Sequence, residues 1–383
     1  MFRKMPYILL VMILACFFLN DLIPVSAKSI LYALSLTIKS VIVFLLPLLI
    51  FILLFKTAVQ LARGAHKMIF FILGAVCLSN FISTMLSGGV GILTYHFGLV
   101  LALPHESSTL NPAWLFALPK WVANDQAMFA GLFLGIVMAR FKPKWTEKMA
   151  ISLDVWVNGL MKLFLYLIPI FLCGFVLKLC HDQVLASIVS DYAGIFALIA
   201  AAQFSYIAFL YLLSNRFRWK GFLLKIQNML PAAIAGMGSM SSAAAMPLTI
   251  LGAEKNAPHS ELAKATIPAT VNIHLIGDCF AIPIFAFAVL KNFGIPEPAF
   301  LSYLLFTCYF VLAKFSVAAI PGGGILVMLP ILESYLGFNA EMMSLITALY
   351  ILFDPIITSA NVLGNGAFSM LFSSWEQRKK GVI

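Results

Sequence analysis

The chain has 383 residues, 62% of them hydrophobic and only 10% charged, with a formal net charge of +10. A water-soluble globule needs a surface with about a quarter charged residues, so lipid must be the solvent for much of this chain. The positive charges are dispersed between apolar segments and form no single basic face, which excludes a nucleic-acid partner and points to a topology signal.

The first apolar segment, about residues 5 to 26, imitates a secretory signal. Arg3 and Lys4 precede an apolar run from Tyr7 to Leu19, and Val25-Ser26-Ala27 resembles a cleavage site. Charge distribution over the whole chain favours a retained first helix instead. Further apolar segments at about 30 to 61, 67 to 103, 112 to 140, 148 to 180 and 186 to 215 complete six predicted helices, each long enough to cross the hydrocarbon core. The runs are continuously apolar, not alternating, so helices and not barrel strands satisfy the backbone in lipid.

Beyond residue 215 the apolar segments are interrupted. Gly236-Met237-Gly238-Ser239-Met240-Ser241-Ser242, running on to Pro247, lies between short apolar arms. Ala319-Ile320-Pro321-Gly322-Gly323-Gly324 is similarly placed between about 300 and 336. Irregular backbone at membrane depth is tolerated only where it is buried in protein or lines a cavity, so both read as tips of re-entrant hairpins, at about 220 to 256 and 300 to 336. Full spans are predicted at about 261 to 291 and 339 to 376. With the N-terminus cytoplasmic, seventeen of the 25 basic residues fall inside and only Lys28, Lys120, Lys178 and Lys291 outside, which also puts the C-terminus inside. Paired Gly/Pro-interrupted segments point to a transporter's binding site. The six cysteines lie mostly in apolar runs with no CxxC pair, which indicates neither a disulfide framework nor a zinc site.

Four elements in this order resemble the dicarboxylate/amino acid:cation symporters, a family that includes the glutamate transporters. They are the Ser241-Ser242 tip ending at Pro247, Asn272 in the seventh helix, Pro321-Gly322-Gly323-Gly324, and Asp354, Thr358, Asn361, Gly364 and Asn365 in the last helix. Asn111-Pro112 and Ala123-Asn124-Asp125-Gln126 add a weaker match. The resemblance implies an all-α polytopic membrane protein of eight transmembrane helices plus two re-entrant hairpins, with inverted repeats and an elevator mechanism. It implies a homotrimer in lipid, located in the bacterial inner membrane. Residues 1–66 and 104–185 would be scaffold, 67–103 and 186–376 a mobile transport domain, and 377–383 a cytoplasmic tail.

Backbone N–H groups around Ser241 and Ser242, and around Pro321, Gly322 and Gly323, can bind a substrate carboxylate at a hairpin tip, with Asn361 adding an amide donor. Small residues for close helix packing are the alternative. Asp354, ionisable inside an apolar segment, would hold a substrate ammonium, shared with Thr358 one turn on. A salt bridge to a lysine such as Lys314 is the alternative. In members that carry acidic substrates an arginine stands at the position of Ile357 or Met240. Without it, a second carboxylate would lie uncompensated, so a small neutral amino acid is expected ahead of glutamate, aspartate or a dicarboxylate.

The family's sodium carboxylates are replaced here by His274 and Asn365, and a hydroxyl ligand by Ile276. Imidazole is a poor sodium ligand. His274 and Asp278, four apart, would share a face on a continuous helix and pass a proton, unless they are simply a satisfied buried pair. Proton coupling is therefore expected ahead of sodium coupling, while Asn272, Asn361 and Asn365 remain candidates for one all-oxygen sodium site. No cofactor is expected. A channel would need charge rings along a pore, and an intramembrane enzyme would need a GxSxG or HExxH signal; neither is present, so the chain reads as a carrier and not an enzyme.

Overall fold

The computed structural model describes residues 11–12, 15–63, 67–96, 110–119, 121–122, 124–182, 184–257, 260–317 and 322–379. Among the described residues the regular structure is helical throughout. The first predicted span is described only in part: residues 15–18 are helical and a 3-10 turn follows at Asn20–Leu22. Twelve further helices follow: α1 Val25–Arg63, α2 Lys67–His96, α3 Asn124–Phe141, α4 Pro143–His181, α5 Val184–Ser214, α6 Phe222–Ser239, α7 Ser242–Asn256, α8 Ser260–Thr270, α9 Ile276–Asn292, α10 Phe300–Lys314, α11 Gly323–Leu336 and α12 Ala340–Lys379.

Three of these, over Phe71–Tyr95, Tyr192–Ser214 and Glu341–Glu376, are long and apolar enough to cross a bilayer by length and composition. Pro47, Pro169 and Pro355 interrupt the long helices α1, α4 and α12 without ending them. Packed neighbours and local adjustments re-satisfy the freed carbonyls in such helices. Helix ends follow local chemistry. Met240 takes a left-handed conformation, φ 49°, to end α6, and Ser241 then caps α7 by accepting from the Ala244 amide at 3.2 Å. Gly322, φ 70°, lies in the left-handed region that favours glycine and opens α11.

The helices pack in two groups. In one, α1 lies against both α3 and α4. In the other, α9 packs on α2, α5 and α12, and α12 also receives α6, α7, α8 and α11. The second group holds the largest core: α9 is buried along nearly its whole length, from Ile276 to Leu290. An apolar helix buried on all sides is the interior member of its bundle. By contrast, α3 and α4 keep large apolar side chains exposed, among them Phe133, Ile136, Val155 and Leu163. Such surface is stable against lipid or a further apolar protein surface, not against water.

Within the two predicted hairpin segments the helices pack in pairs, α6 on α7 and α10 on α11. The predicted seventh span is divided into α8 and α9 by an unwound stretch at 271–275. Asn80 of α2 holds that stretch open, donating to the Ile273 carbonyl at 2.7 Å and accepting from the Leu275 amide at 3.4 Å. Lys291 at the end of α9 donates to the Thr94 and Tyr95 carbonyls at 2.6 and 3.0 Å, satisfying the last turn of α2.

Candidate functional site

The site is assembled on α12 from three directions. Asp354 is 3% exposed. Its Oδ2 accepts from the Gly322 amide of hairpin 2 at 2.9 Å, and its Oδ1 accepts from the Thr358 hydroxyl at 3.0 Å. A carboxylate offers about four lone-pair sites, so two remain open for a further donor. Hairpin 1 approaches the same turn of α12. A Cβ built on Gly236 would lie 2.9 Å from Val362 Cγ2 and 3.4 Å from Thr358 Cγ2, so this glycine permits the close approach.

Ser241 is half-buried and Ser242 buried at the start of α7, while Met240 is buried beside them. The first turn of α7 presents backbone N–H groups without helical partners, the chemistry that attracts an anion. Gly322 and Gly323 are buried at the corresponding end of α11. Pro321 lies outside the described residues.

Asn361 faces α9. Its Oδ1 accepts from the Gly277 amide at 2.8 Å and its Nδ2 donates to Asp278 Oδ1 at 3.2 Å, leaving the second amide hydrogen for another acceptor. Asp278 Oδ1 also accepts from the Tyr350 hydroxyl at 3.0 Å, and Asp278 Oδ2 pairs with the Lys314 ammonium at 2.8 Å. Lys314 is therefore committed to Asp278, not to Asp354.

His274 and Asp278 do not share a helical face, because His274 lies in the unwound stretch and Asp278 in the first turn of α9. His274 Nε2 lies 2.9 Å from Ser79 Oγ, its ring rests against Phe368 with centroids 4.5 Å apart, and its Nδ1 is buried without a hydrogen-bond partner. Asn365 Nδ2 donates to the His274 carbonyl at 3.1 Å, and its Oδ1 is a buried oxygen without a hydrogen-bond partner. Asn272 is exposed. Of Asn272, Asn361 and Asn365, the last thus offers the open buried oxygen, a fit for one ligand of a hard cation.

Ser79 and Asn80, which fix His274 and the broken helix, escaped the sequence reading. A signal was present: Asn80, Ser83, Thr84 and Ser87 recur at helical spacing in an apolar run, and all are fully buried. Tyr350 carried no such signal.

An apolar helical bundle in which two helix pairs meet a buried carboxylate of a long helix, beside a broken helix, fits the architecture of a secondary carrier. The chain belongs to the sodium:dicarboxylate symporter family, whose model matches residues 124–375. It is also similar to the serine/threonine transporter SstT of Enterococcus faecalis (strain ATCC 700802 / V583), 22% identical over 363 residues, which span 88% of this chain and 84% of that protein. It is thus an integral membrane protein of cation-coupled symport.

Proposed function

We propose that this protein carries a small neutral amino acid, serine or threonine before others, into the cell by an elevator movement. In this reading α2 and α5 to α12 form the moving body, and α1, α3 and α4 the scaffold of a homotrimer. Asp354 and Thr358 hold the substrate ammonium. Amide groups at the starts of α7 and α11, with Asn361, hold its carboxylate.

The observation that carries the substrate assignment is the charge inventory around α12. Among the described residues the buried cations are Lys28 and Lys314, and the Lys314 ammonium is taken by Asp278. Ile357 and Met240 are buried apolar side chains at the two positions where an arginine would serve an acidic substrate. A second substrate carboxylate in such a pocket lacks compensation and costs several kcal/mol. The similar transporter of Enterococcus faecalis is named for serine and threonine, both neutral amino acids.

For the coupling ion, a proton is placed ahead of sodium, because His274 and Asn365 replace hard oxygen anions with weaker ligands. Sodium is the second reading, and the unpartnered buried Asn365 Oδ1 supports it.

Radiolabelled uptake into proteoliposomes tests all of this. Serine or threonine uptake driven by an inward proton gradient in choline chloride is the expected result. Serine uptake that needs a sodium gradient supports the second reading, and sodium-driven aspartate or succinate uptake without serine uptake overturns the substrate assignment.

A further inference from the structure

Lys314 is the last residue of α10, the first arm of hairpin 2, and it is fully buried. Its ammonium lies 2.8 Å from Asp278 Oδ2 and 4.4 Å from the centre of the Phe310 ring. Removing two charges from water is costly, and an apolar pair of similar volume often serves stability as well or better. Stability alone therefore does not account for an ion pair here, and a charge within a membrane bundle has a functional role by default.

The location supplies that role. Lys314 stands at the C-terminal end of a half-length helix, where free carbonyls and the negative end of the dipole favour a cation. Asp278 stands in the first turn of α9, where the positive end favours an anion. Half-helix C-terminal ends and unwound carbonyls are where cation-driven carriers coordinate their coupling ions. In this chain a covalently attached ammonium already occupies that position.

The same carboxylate is a junction. Tyr350 and Asn361 of α12 bond its Oδ1. A Cβ on Gly324, in the first turn of α11, would run into Asp278 Oδ2 and the Tyr350 hydroxyl. Both arms of hairpin 2 thus close onto Asp278, and the tip between them bonds Asp354.

We infer that Lys314 is a tethered cation: its ammonium stands at the end of α10 in place of an exchangeable coupling ion and holds hairpin 2 against Asp278 without one. The inference rests on the carrier reading for its meaning. It concerns one cation position, and other coupling sites keep their own ion.

The test is cation rescue in purified full-length protein, read first without substrate so that it stands apart from the substrate assignment. Lys314→Ala removes three methylenes and the ammonium and leaves a cavity of about propylammonium size beside a buried carboxylate. In choline chloride its melting midpoint is expected to fall by about 5 °C or more. Sodium or methylammonium should restore it saturably, with a response beyond any that the wild type shows. Serine affinity, measured second, should fall about 100-fold in choline chloride and recover with either cation.

A folded Lys314→Ala protein whose cation response equals that of the wild type overturns the inference. Should that variant fail to purify, Lys314→Gln, which keeps most of the side chain and removes the charge, decides instead. Its melting midpoint should rise with sodium or methylammonium beyond the wild-type response, and a response equal to that of the wild type overturns the inference. Failure of serine, threonine and alanine to bind the wild type in any salt would strike the substrate assignment and leave the substrate-free rescue result standing.

Discussion

The Gly322 amide donates to Asp354 Oδ2 at 2.9 Å, so the tip of hairpin 2 is bonded to the carboxylate assigned to the substrate ammonium. Closing the tip and holding the substrate therefore depend on one side chain. Asp354→Asn keeps an oxygen for Gly322 and removes the charge. Serine uptake by this variant is expected to fall about 100-fold, the loss of a charge-assisted contact in a dry site, with little change in melting midpoint. Uptake measured beside thermal unfolding checks it; unchanged uptake would remove Asp354 from the site.

Thr358 acts through its hydroxyl, which donates to Asp354 Oδ1 at 3.0 Å. Thr358→Val keeps the shape and removes that hydrogen bond, worth about 1 kcal/mol, or roughly fivefold in serine affinity. Thr358→Ser should bind as the wild type does. Calorimetric titration with serine separates the two, and equal weakening in both would assign the effect to packing instead.

Met240 is buried at the tip of hairpin 1, already in the left-handed conformation. Replacing it with arginine adds a guanidinium beside the site without a new backbone demand. Met240→Arg should lower serine uptake and introduce aspartate uptake, because a bidentate pair compensates the second carboxylate. Competition between labelled serine and unlabelled aspartate reads the ratio directly. An unaltered ratio in a folded variant would place the substrate away from this tip.

Asn80 joins α2 to both sides of the unwound stretch through Ile273 and Leu275. Asn80→Ala leaves a buried carbonyl and amide without that partner and is expected to destabilise the protein by about 2 kcal/mol. Because Ser79 and His274 adjoin the same stretch, the ion dependence of serine uptake should weaken as well. Uptake in graded sodium and proton gradients, set beside the melting curve, distinguishes this from a loss of fold alone.

Much of the fold was legible because lipid imposes simple rules. Helix positions follow mostly from runs of about 20 apolar residues, but the segment predicted at about 112 to 140 is helical only from Asn124, with 110–119 irregular. The hairpin segments were read from Gly, Ser and Pro where a spanning helix would exclude them. Asp354, Thr358 and the tip glycines were legible for the same reason: polar or helix-breaking residues are conspicuous in an apolar background. The pairing of His274 with Asp278 was drawn from an assumed continuous helix. Asn80, distant in sequence, bonds the stretch that breaks that helix, and so it moved the two side chains onto different partners.

The sequence by itself determined the solvent of this protein, its class of secondary structure and where its backbone is interrupted, because these are local consequences of hydropathy and backbone chemistry. Only the tertiary structure decided which charge neutralises which. Lys314 is 36 residues from Asp278 and 40 from Asp354, and either carboxylate would have satisfied it. The choice depends on where α10 ends relative to α9 and α12. An ion pair forms over a few ångströms, and packing between helices, not spacing along the chain, sets that distance.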